Sequence, residues 1–187
     1  MLATVAVLLF PLGLVYAAIR DVASYEIPNW LSVALVADFV ILALALSFDW
    51  RVIGLHLGAG LVVLVVGALL FAAGLLGGGD GKLMAAAAVW IGWAQLFRFI
   101  MVVAIAGGGL ALLVMAIRRH GFLGGLAGWR WFERLRTPDH GIPYGVAIGI
   151  GGLAVFRDLA IVGLAAGDRF PGLVAMSGRL LRHIAGA

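Results

Sequence analysis

Residues 52–76 read VIGLHLGAGLVVLVVGALLFAAGLL, a run without one charged side chain. At about 1.5 Å per residue, a helix of this length spans the ~30 Å hydrocarbon core of a bilayer. It is apolar on every side and has no face to offer water, so it reads as a membrane span. Similar runs lie on both sides of it. One extends from Leu2 to about Ile19 and contains Pro11, which is expected to bend it. Another extends from Pro28 to Ser47 and is interrupted by Asp38. Beyond the central run come Gly81 to Phe97, Phe99 to Ile117, and Ile142 to about Phe156. The pattern predicts an all-α polytopic transmembrane bundle of about six spans, one membrane domain over residues 1–187. The first run has no basic segment before it and several spans after it, which reads as a retained span rather than a cleaved signal.

Composition agrees. Of 187 residues, 64% are hydrophobic and 12% charged, against about 25% charged in soluble domains. The net charge of +4 would hint at nucleic acid in a soluble chain. In a chain this apolar, basic residues mark cytoplasmic loops instead, and no nucleic-acid partner is expected. The 28 glycines fit close helix packing, with Gly54, Gly58 and Gly60 read in that way. The absence of cysteine excludes disulfides, thiolate metal sites and a Cys nucleophile.

Loop charge gives an orientation. Arg20, Lys82, Arg118, Arg119, Arg130, Arg134 and Arg136 follow the first, third and fifth spans, whereas Arg51 and Arg98 fall on the other side. The richer face is expected in the cytoplasm, with the N-terminus outside. The segment from Pro171 to Ile184 alternates apolar and basic residues at helical spacing, which predicts an amphipathic helix on the membrane surface.

Two carboxylates then need a reason, because charge near lipid is costly. Asp21 ends the first span and Asp80 follows the third. An even number of crossings separates them, so both are expected at the cytoplasmic face. Each has a structural reading: Asp21 as a polar residue at the membrane edge, Asp80 as an N-cap after three glycines. As a pair they also fit acid–base hydrolysis. One carboxylate takes a proton from water while the other, protonated, polarises the carbonyl. Mid-span Asp38 is expected to face the bundle and bond to a neighbour. His56, His120, His140 and His183 show no ligand spacing, so neither a metal nor another cofactor is predicted. Ser177 lacks the Gly-x-Ser-x-Gly context of a nucleophile. Lys82 reads either as a substrate contact or as a lysine snorkelling to the interface.

At these residues a resemblance appears. Gly77-Gly78-Gly79-Asp80 resembles the Gly-x-Gly-Asp motif of intramembrane-type aspartic proteases. Lys82-Leu83 with the alanines that follow, Asp21 with Ile27-Pro28-Asn29, and the later Ile142-Pro143-Tyr144-Gly145 resemble the prepilin peptidase family. With no cysteine and an immediate start in the membrane, the chain is similar to the short class serving tight-adherence (Flp-type) pili. The resemblance implies that Asp21 and Asp80 are the catalytic pair. It implies that Gly77, Gly79, Lys82, Pro28, Asn29, Pro143, Tyr144 and Gly145 shape the site or bind substrate. It further implies a prepilin substrate cleaved at the cytoplasmic face of a bacterial inner membrane. Two other classes fit the same residues: a small proton-coupled transporter or channel using Asp21, Asp38 and Asp80, and a non-catalytic scaffold of a pilus machine.

Overall fold

The structure is a computed structural model that describes residues 2–120, 142–159 and 161. The regular elements among these residues are helices: α1 (Leu2–Ser24), α2 (Asn29–Ala45), α3 (Trp50–Ala72), α4 (Gly78–His120) and α5 (Tyr144–Phe156). Three stretches, Ala6–Ser24, Trp50–Ala72 and Gly78–Arg119, are long and apolar enough to cross a membrane, and α2 and α5 are shorter apolar helices. The composition and these helices are those of a membrane protein. The surface amphipathic helix expected after Pro171, and the glycine-rich stretch Gly121 to Trp131, fall outside the described residues.

Two boundaries differ from the hydropathy reading. First, α1 continues past Ile19 to Ser24 and runs helically through Pro11. Charge at Arg20 ends the apolar run but does not break the backbone. The stop comes at Tyr25, a non-glycine residue in the left-handed region (φ 55°). Ser24 Oγ donates to the Arg20 carbonyl at 2.8 Å and helps close this last turn. Asp21 therefore sits inside the last turn of α1, only 5% exposed, and not in a loop after it.

Second, the expected fourth and fifth spans are joined in α4, and the break lies at Gly92 (φ 63°, ψ 176°) rather than at Arg98. The neighbours of each limb show that the chain reverses there. Gly67 lies on Gly81 and Gly60 on Ala85 and Val89, so the first limb runs antiparallel to α3. Asp21 and Asp80 line one pocket at one end, while Phe10 stacks on Trp90 at the other (4.8 Å). The first limb is thus antiparallel to α1 as well. Gly145 touches Asp21 and Gly152 touches Leu14, which sets α5 antiparallel to α1. Gly107 touches Tyr144 and Gly151 touches Phe99 and Val103, which sets the second limb antiparallel to α5 and so parallel to α1. A positive φ of this kind costs little in glycine and much in any residue with a Cβ.

Trp90 stands at the centre of the packing, fully buried. It stacks on Phe10, meets Phe39 edge-on at 5.8 Å and donates its indole N–H to the Leu35 carbonyl at 2.8 Å. A buried indole needs such a partner. Phe39 also stacks on His56 at 4.9 Å. His56 Nδ1 lies 2.7 Å from the Val89 carbonyl; a carbonyl can only accept, so the ring donates. Near Gly92 the helical ladder is interrupted, and His56 supplies a donor there. Of the glycines read as packing residues, Gly60 packs on Val89, while Gly54 and Gly58 have open space where a Cβ would stand.

Candidate active site

The site lies where the end of α1, the connector to α2 and the start of α4 converge. Arg20, Asp21, Tyr25, Glu26, Ile27, Pro28, Asn29, Gly77, Gly78, Gly79 and Asp80 line one cavity of about 430 Å³. Pro28 precedes the first residue of α2 with extended backbone (ψ 132°). It fixes the direction in which the connector leaves Ile27 and lays residues 25–29 along the cavity.

Asp80 is not the N-cap of α4. The helix begins at Gly78, with the Gly77 carbonyl accepting from the Gly81 N–H at 3.1 Å. Asp80 is the third helical residue, and its carboxylate turns back to accept the Gly77 N–H. This is the acidic half of a capping box. The approach is close: a Cβ on Gly77 would stand 2.5 Å from Asp80 Oδ2. Gly79 is confined in turn by Ile27, whose Cβ would lie 3.3 Å from a Cβ at position 79. The glycines thus let the connector and the carboxylate close on the helix start.

Asp21 comes from the opposite wall. Its Oδ2 accepts the Gly145 N–H at 2.6 Å in a buried contact. Asp21 faces the same cavity as Asp80. Two carboxyls that face one cavity can share a single proton when they lie close together. Such a pair can activate a water with one oxygen and protonate a leaving atom with another.

The structure therefore brings Asp21, Asp80, Gly77, Gly79, Pro28 and Asn29 to one cavity, with Gly145 behind Asp21. Lys82 is outside the lining; its Nζ donates to Asn29 Oδ1 at 2.8 Å and ties α4 to α2 beside the cavity. Pro143 precedes α5, and Tyr144 packs toward Gly107 of α4 rather than into the cavity. Asp38 does not make the expected bond to a neighbour: its Oδ2 is buried and has no hydrogen-bond partner among the described residues. Arg20, Tyr25, Glu26, Ile27 and Gly78 complete the lining and are absent from the sequence-based set. Contiguity marks them in the sequence, since each lies close to Asp21, Pro28, Asn29, Gly77, Gly79 or Asp80.

A model described as the type IV leader peptidase family matches residues 8–112, more than half of the chain. No curated protein and no solved structure matches it significantly.

Proposed function

The chain belongs to the type IV leader peptidase family, and from that premise we propose that it is a membrane-embedded aspartic endopeptidase that removes the leader of a prepilin. The observation that carries this reading is the meeting of Asp21 and Asp80 in one cavity. One carboxylate takes a proton from water, and the water oxygen bonds to the scissile carbonyl carbon. The carbonyl oxygen takes the proton held by the other carboxyl. The tetrahedral adduct then collapses: one of its hydroxyls returns a proton to the second carboxylate, the C–N bond breaks, and the amine leaves with the proton first taken from water. A carboxyl pair suffices for these transfers without a covalent nucleophile.

The substrate in this reading has an apolar helix lodged in the bilayer beside the bundle and a leader on the cytoplasmic side of a bacterial inner membrane. Gly13 lies on Leu35 and Tyr16 on Trp30, which sets α2 antiparallel to α1, and the alternating directions of α1, α2, α3, the two limbs of α4 and α5 support six crossings. Basic residues on the side of Asp21 and Asp80 support a cytoplasmic site. The substrate class in this reading is a prepilin of the tight-adherence type. The reading is tested by cleavage of a purified prepilin in proteoliposomes, with the leader fragment identified by mass. Failure of the wild-type protein to release a leader from any such prepilin would refute it.

A further inference from the structure

Gly145 lies outside the stretch matched by the family model, which ends at residue 112, yet its N–H donates to the Asp21 carboxylate. We propose that the Gly145 N–H is a positioning group of the active site, holding Asp21 in the orientation from which it acts as the base. This rests on the peptidase reading above and adds a role for α5 and a division of labour within the pair.

Gly145 is the second residue of α5, a helix of 13 residues. N–H groups of a first helical turn have no carbonyl partner within the helix, and here that donor is spent on Asp21 Oδ2 at 2.6 Å. The helix end also favours a negative charge beside it. No side chain fits at this position: a Cβ would lie 2.8 Å from Oδ2, 3.0 Å from the Asp21 Cβ and 3.1 Å from its Cγ. The register is held on both sides. Gly149 rests on Leu14 and Ala18 of α1, and Tyr144 rests on Gly107 of α4. With Oδ2 engaged by Gly145, Oδ1 is the oxygen that takes the proton from water. Asp80 then holds the proton delivered to the carbonyl oxygen.

The experiment replaces Gly145 by glycolic acid in the full-length protein, turning one amide into an ester and removing only the N–H. Gly145→Ala is made in parallel. Prepilin cleavage is measured in proteoliposomes, and isotope-edited infrared spectra are recorded on protein with labelled aspartate carboxyls. Asp21→Asn identifies the Asp21 band. Loss of one charge-assisted hydrogen bond is expected to lower kcat by about 10- to 100-fold with KM changed by less than about twofold. The Asp21 band is expected to shift. A merely structural role for α5 would move KM or folding without that band. An unmoved band, or an unchanged kcat in the ester protein, overturns the proposal. A wild-type protein that cleaves no prepilin overturns the peptidase reading and the catalytic role with it. The band then still reports whether the contact exists.

Discussion

Asp80 and Asp21 reach one cavity from two helix ends, Asp80 from the first turn of α4 and Asp21 from the last turn of α1. Each is held by a backbone N–H, from Gly77 and Gly145 respectively. Neither is free to swing away as a surface carboxylate would, so the pair is presented as a unit. Asp21→Asn and Asp80→Asn should each reduce prepilin cleavage by about 10²- to 10⁴-fold, the usual weight of an acid–base group. Circular dichroism and gel filtration should show both variants folded. Wild-type rates in either variant would remove the paired mechanism.

Gly77 and Gly78 are adjacent but should respond differently to alanine. A methyl at 77 would stand 2.5 Å from Asp80 Oδ2, so the carboxylate must move. At 78 the nearest atom is a ring carbon of Phe71 at 3.4 Å, an ordinary contact at the end of a movable side chain. Gly77→Ala is expected to abolish most cleavage, and Gly78→Ala to retain it within about threefold, a difference of under ~1 kcal/mol. Equal loss in both would mean that the Gly77–Asp80 approach is not what the glycines serve.

The extent to which this site was legible depends on what each contact requires. Asp21 and Asp80 were legible because hydropathy makes any carboxylate conspicuous and counting crossings places both at one end. Gly77 and Gly79 were legible as local neighbours of Asp80. The role of Gly145 was not, since its contact with Asp21 spans 124 positions and needs the packing of α5 on α1. The reversal at Gly92 was hidden for another reason. Its glycine sits in an uninterrupted apolar run, and hydropathy registers the charge of Arg98 but not a positive φ. Asp80 as an N-cap was a near miss, because a helix starting three residues earlier, at Gly78, converts a cap into a third-position acid.

The Gly92 reversal makes a prediction about stability rather than catalysis. Alanine at 92 would have to adopt φ 63° and place its Cβ 2.7 Å from the His56 ring. A backbone at φ 63°, ψ 176° is adopted readily by glycine alone and costs roughly 1–3 kcal/mol in any other residue. His56→Ala removes the ring but leaves the Val89 carbonyl without its donor, a loss of about 1–3 kcal/mol. The two changes share one clash, so the double variant should be less destabilised than the sum of the singles. Thermal unfolding in detergent measures all three. Strict additivity would show that His56 and Gly92 do not act on one another.

Asp38 separates the peptidase from a proton-coupled transporter. It sits in the middle of α2, away from the cavity lining, with Oδ2 buried and unbonded among the described residues. Transport along the bundle would need a carboxyl at this depth, whereas cleavage at Asp21 and Asp80 does not. Asp38→Asn should therefore cleave prepilin at close to the wild-type rate. Asp38→Leu should keep cleavage and raise the unfolding temperature, because replacing an unsatisfied buried polar group by an apolar one of similar volume removes a desolvation cost. A fall in cleavage in both variants would assign Asp38 to the peptidase machinery. Proton flux in proteoliposomes that disappears with Asp38→Asn, beside a wild-type protein that cleaves nothing, would decide for transport.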